Sequence, residues 1–190
     1  MKNSSRRIIL GIFMVIGVPI TFGGFFLANQ IIPLIFGPEY IEAIPVSQTF
    51  MIMLLVSFPL ILLINSIFVY NKQRKLVLAN IFGIFVNILL NFLLIPKFGI
   101  TGAAIATVAS TSIVTYVIWR KMKQTNYFEI LPSLKPIILP TITMTLMILV
   151  VKYLGINVIL NVIISSTVYF WVLFFVKESI FKEIKEIINI

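Results

Sequence analysis

The stretch NILLNFLLIPKFGITGAAIATVAS, residues 87–110, decides how this chain folds. Leu93, Leu94 and Ile95 keep its first half free of charge up to the last turn. Pro96 has no N–H to continue a hydrogen-bonded helix, and Gly99 and Gly102 let the backbone reverse. The spacing predicts a helix ending at Ile95, a turn over Pro96–Gly99 and a second helix opening at Thr101. Beyond the turn, Gly102, Ala106 and Ser110 recur every four residues and form one small-residue face on which another helix can approach closely. Before it, Asn87 and Asn91 also lie four apart, on one face of their helix. The stretch reads as a membrane helical hairpin, with amides on one arm and a packing groove on the other.

Composition agrees. Hydrophobic residues make up 60% of the chain and charged residues 11%, with a mean hydropathy of +1.12. Soluble domains hold about 45–50% apolar and about 25% charged residues, so this is an integral membrane protein. Its 190 residues leave room for six spans of about 20 residues with short loops and no soluble domain. The absence of cysteine removes disulfides and thiolate metal sites, and the absence of histidine removes the commonest metal ligand and general base. A net charge of +9 would suggest nucleic acid in a soluble protein. Here the basic residues flank apolar spans, so topology explains them and no nucleic-acid partner is expected.

The expected fold is an all-α polytopic bundle of six transmembrane helices, with spans at residues 8–30, 45–69, 76–95, 101–119, 136–151 and 157–176. Gly17, Pro19, Gly23 and Gly24 mark the first span as a candidate for bending. Counted on alternate sides, Lys and Arg split 13 to 2. Under the positive-inside rule this places both termini in the cytoplasm and requires an even number of spans. Residues 177–190 form a tail in which Ile180, Phe181, Ile184, Ile187 and Ile188 line one helical face opposite Lys and Glu. That pattern reads as an amphipathic helix on the cytoplasmic leaflet.

No catalytic, cofactor or metal site emerges. All six acids (Glu39, Glu42, Glu129, Glu178, Glu183 and Glu186) lie outside the spans, so carboxylates for hydrolysis or an ion relay are missing at membrane depth. The polar groups inside the spans are amides and hydroxyls. Their bland reading is helix-to-helix hydrogen bonding, worth about 0.6 kcal/mol each. The functional reading is that Asn65, Asn87 and Asn91 line a polar cavity where neutral amides meet sugar hydroxyls. Arg74 and Lys75 stand at its cytoplasmic mouth, either against a lipid head group or as topology charges.

Three stretches carry a resemblance: FFLANQIIPLIFGPEYIEAIPV (25–46), NKQRKLVLAN (71–80), and the hairpin pattern N-x3-N-x4-P-x2-G-x2-G-A-A-x-A-T from Asn87 to Thr107. In these the chain resembles the C-terminal part of the polysaccharide-export proteins, oligosaccharide (O-antigen type) flippases of the multidrug/oligosaccharidyl-lipid/polysaccharide superfamily. The resemblance implies one half of a two-lobed flippase in the cytoplasmic (inner) membrane, moving undecaprenyl-diphosphate-linked oligosaccharide for surface polysaccharide synthesis. It also implies an N-terminal half, or a second chain, for the remaining helices, since the family has about twice as many. The competing readings are a drug or cation antiporter of the related extrusion family, and a structural or non-functional truncated membrane subunit.

Overall fold

A computed structural model describes residues 3–69, 71, 73–123 and 131–176, and these are almost entirely helical. Helix α1 (Asn3–Phe36) leads through a short 3-10 turn (Pro38–Ala43) into α2 (Ile44–Val69). Then come α3 (Gln73–Lys123), α4 (Leu131–Tyr153) and α5 (Val158–Val176). The tail at 177–190 and residues 124–130 of the long basic loop lie outside the described residues.

The helices lie in a row. The α3 segment packs on α2, α2 on α1, and α1 on α4, while α5 covers α4 and touches α1. One core gathers Met14, Val18 and Leu27 of α1 with Ile137, Met144 and Ile148 of α4 and Tyr169 and Leu173 of α5. A second joins Leu63 and Ile67 of α2 to Ala79, Val114 and Ile118 of α3. Away from these seams the surface is apolar: Phe92 is 79% exposed and Ile100 78%. In lipid such side chains need no protein partner, because acyl tails solvate them as well as a core would.

Four stretches of the described residues are long and apolar enough to cross a membrane: Phe13–Phe36, Pro38–Asn65, Gln73–Lys121 and Val158–Val176. This is fewer than the six spans read from the sequence. The difference lies in α4, whose apolar part Ile137–Tyr153 is shorter, and in α3, which runs as one segment of 51 residues.

A straight helix of that length would measure about 75 Å. Instead α3 folds back at Gly99, the one residue inside it with non-helical angles (φ 55°, ψ −135°). Asn87 and Ser110 are hydrogen-bonded at 3.0 Å, although 23 residues of straight helix would hold them about 35 Å apart. Gly83 faces Val114 in the same register. The hairpin is therefore present, but its turn is tighter than the sequence suggests. Pro96, Lys97 and Phe98 stay helical. Proline costs only the bond to the residue four before it, whereas the positive φ at position 99 is one that side-chain-bearing residues rarely adopt.

Gly102 closes the fold. A Cβ there would run into the backbone carbonyl of Leu94 on the other arm. The turn between α4 and α5 uses different chemistry: Gly155 at φ 70° ends α4, with Gly155 N–H donating to Lys152 O and Ile156 N–H to Val151 O. Asn157 Oδ1 then accepts from Ile159 N–H at 2.9 Å, capping α5.

Gly102→Ala is expected to destabilise the protein by about 1–3 kcal/mol, because backbone rather than a flexible side chain must give way. Gly23→Ala, where an added Cβ meets nothing within 4 Å, should be neutral or mildly stabilising. Unfolding in mixed detergent micelles measures both, and equal effects would contradict the contact at Gly102.

Candidate functional site

The four-residue spacing of Asn87 and Asn91 places both amides between the arms of α3. Asn87 Nδ2 donates to Ser110 Oγ at 3.0 Å, and Ser110 Oγ donates onward to Thr107 O at 3.0 Å. Asn91 Nδ2 donates to both the backbone oxygen and the Oδ1 of Asn87, each at 2.9 Å. Ser110 is buried, while Asn87, Asn91 and Thr107 are half-buried. The Thr107 hydroxyl returns to Ala103 O in its own helix. An amide carries two donor hydrogens and one acceptor oxygen. One Asn87 hydrogen and the Asn91 Oδ1 are thus left without a partner among the described residues. The site locks the hairpin and keeps a small neutral hydrogen-bonding capacity.

The other expected site residues are not drawn into this network. Asn65 is exposed on α2, between Leu63 and Ile67, which share a core with Ala79. It therefore lies near the level of Ala79, about 12 Å along the arm from Asn87. Arg74 is exposed and Lys75 half-buried at the opening of α3, with Lys75 about 18 Å along the arm from Asn87.

A second polar seam runs along α5. Asn161, Ser165 and Tyr169 recur every four residues, and all three are buried. Asn161 Nδ2 donates to Ile148 O of α4 at 3.2 Å, Ser165 Oγ to Asn161 Oδ1 at 2.9 Å, and Tyr169 Oη to Val15 O of α1 at 2.9 Å. The four-residue period of Asn161, Ser165 and Tyr169 is the signal in the sequence that points to this seam. Lys152, counted in sequence as a loop charge, reaches Phe26 O of α1 at 3.4 Å from the last turn of α4.

Two clefts flank α1. The larger, about 500 Å³, lies between α1, α2 and α4 along Met14, Val18, Phe22, Leu55, Pro59 and Ile137–Leu146. Its two hydroxyls are already engaged, Thr141 with Ile137 O and Thr145 with Thr141 O. The smaller, about 410 Å³, runs along the other side of α1 past Ile20, Gly24, Met144 and Phe170. Neither is lined by a charged group among the described residues. Among the described residues no three His, Cys, Asp or Glu come together as a metal site.

A bundle of apolar helices joined by neutral polar seams, with several of them long and apolar enough to cross a membrane, defines a polytopic membrane protein. Residues 3–175 match the lipid II flippase MurJ family, and the chain belongs to that family. It is also similar to an uncharacterized membrane protein of Methanocaldococcus jannaschii, at 29% identity over 187 residues. That alignment covers 93% of this chain but 36% of the relative, so the chain spans about a third of the relative's length. No solved structure matches.

If the Asn87–Ser110 bond holds the hairpin, a double-mutant cycle with Asn87→Ala and Ser110→Ala should give a coupling of about 0.6 kcal/mol, and at most about 1.7 kcal/mol. Strict additivity of the two single losses would mean that the bond contributes nothing.

Proposed function

We propose that this chain is part of a flippase that carries an undecaprenyl-diphosphate-linked oligosaccharide from the cytoplasmic to the outer leaflet of the cytoplasmic membrane. The observation that carries this reading is the family match over residues 3–175. The hydrocarbon-lined cleft beside α1 supports a substrate with a lipid portion. The relative's greater length supports a second lobe, supplied by the same polypeptide or by another chain.

In this reading each arm of α3 is one membrane crossing and α4 is another, which restores six crossings and an even topology. Both termini then face the cytoplasm, in keeping with the 13-to-2 split of basic residues. Asn87 and Asn91 contribute neutral hydrogen bonds to the cavity wall from the capacity that the hairpin network leaves open, and Asn65 contributes its exposed amide from α2. Arg74 and Lys75 meet the phosphate head group at the cytoplasmic mouth, where a desolvated diphosphate would attract them most strongly.

The transport test uses the whole protein in liposomes containing a fluorescent undecaprenyl-diphosphate-linked oligosaccharide, with a membrane-impermeant quencher reporting the outer leaflet. Protein-dependent loss of the protected fraction is expected. Asn87→Leu with Asn91→Leu should slow it at least tenfold without lowering the amount of inserted protein. Equal flipping by the double variant would remove the amides from the site, and no flipping by the native protein would remove the function.

A separate measurement addresses orientation. A C-terminal alkaline phosphatase fusion should be inactive and a C-terminal green fluorescent protein fusion bright. The reverse pattern would overturn the six-crossing topology.

A further inference from the structure

Pro19 sits inside α1. With no N–H, it cannot donate to the carbonyl four residues before it, which is that of Val15. In hydrocarbon an unpaired carbonyl is costly. Tyr169, fully buried on α5 and 154 residues away in sequence, donates its hydroxyl to that same oxygen at 2.9 Å. Pro33, Pro59 and Pro96 also interrupt helices. Among the described hydrogen bonds none brings a side chain from another helix to the carbonyls they release.

The surroundings of Pro19 are those of a joint. Thr21 is buried, and its hydroxyl donates back to Gly17 O at 2.8 Å, an arrangement that bends helices. Gly23 and Gly24 follow one turn later, where the helix has least intrinsic stiffness. Beyond them, directed bonds tie α1 to other elements. Gln48 Nε2 of α2 reaches Phe25 O at 3.1 Å, and Lys152 Nζ of α4 reaches Phe26 O at 3.4 Å. The half of α1 before Pro19 is thus bonded to α5, and the half after Gly24 to α2 and α4.

We propose that α1 is a hinged helix and that Tyr169 is its latch, a positioning residue that holds the first half of α1 to α5 by supplying the donor Pro19 lacks. This does not depend on which molecule is transported. When the latch is closed, the Val15 carbonyl is satisfied and α1 has one preferred geometry at Pro19. When it opens, the carbonyl must find another donor, and the two halves of α1 are free to pivot through 19–24.

The latch can be isolated because its need disappears with the proline. Pro19→Ala restores an N–H that can bond Val15 O within the helix. Tyr169→Phe removes only the hydroxyl. In the native background Tyr169→Phe should shift the unfolding equilibrium in mixed micelles about 3- to 20-fold toward the unfolded state, the range of measured intramembrane hydrogen bonds. In the Pro19→Ala background the same substitution should shift it less than twofold.

The chain has no cysteine, so Ile16→Cys with Leu34→Cys, both on exposed positions of α1, permits a spin-label distance measurement across the joint. Tyr169→Phe should broaden that distribution, and adding Pro19→Ala should narrow it again. Should Tyr169→Phe fail to accumulate, recovery of folded protein by Pro19→Ala supports the latch and failure to recover opposes it. An equal loss of stability in both backgrounds, or an unchanged distance distribution in Tyr169→Phe, would overturn the proposal.

Discussion

Hydrocarbon offers no partner to a polar group, whether a carbonyl released by proline or a side-chain donor, and the long-range bonding among the described residues follows from that constraint. Within an unbroken helix each carbonyl is satisfied locally, so nothing obliges one helix to bond another. Of the five hydrogen bonds between separate helices or arms among the described residues, four run from a side-chain donor to a helix carbonyl. They are Gln48 to Phe25, Lys152 to Phe26, Asn161 to Ile148 and Tyr169 to Val15. Three of these converge on α1, and one of the three acceptors, Val15 O, is the carbonyl that Pro19 releases. The central place of α1 in the row is therefore a matter of polar satisfaction as well as apolar packing.

The α3 hairpin meets the same constraint differently. Its arms exchange side chain for side chain, Asn87 to Ser110, beside a backbone approach so close that Gly102 admits no Cβ. Here the hydrophobic effect supplies no drive, since lipid is as apolar as leucine. Close van der Waals contact along Gly102, Ala106 and Ser110, all buried, does the holding, with the amide network fixing register. A slip of one residue would separate Asn87 from Ser110 and bring a larger side chain to Leu94.

The hairpin was legible in the sequence because everything it needs is local: a four-residue period on each arm and a glycine between them. The reversal falls at Gly99, inside the expected turn, but the first arm runs on through Phe98, because a helix can pass a proline at the loss of one bond. The contacts of Tyr169 and Lys152 were not legible. They join residues 154 and 126 positions apart, and no local period says which carbonyl a distant donor will reach. The vacancy itself was visible, since any proline at membrane depth announces an unpaired carbonyl four residues earlier. Asn65, Arg74 and Lys75 show the converse limit: a polar residue in a span says that a partner is needed, but not that the other polar residues provide it.

The neutrality of the α3 and α5 seams bears on mechanism. A buried ion pair would be expensive to form and to break, whereas hydrogen bonds between neutral groups in a membrane contribute about 0.6 kcal/mol each on average. Bonds of that size fix a geometry without trapping it, and thermal motion exchanges them readily. The larger cleft lies beside the joint: Val18 and Phe22 on its wall bracket Pro19, and Pro59 lines it from α2. A pivot at Pro19 displaces Val18 relative to Phe22 and so alters the width of the cleft, while the close-packed α3 hairpin at the end of the row has no comparable freedom. The proposed hinge of α1 thus lies next to the larger apolar cleft, while the amides sit in the close-packed hairpin.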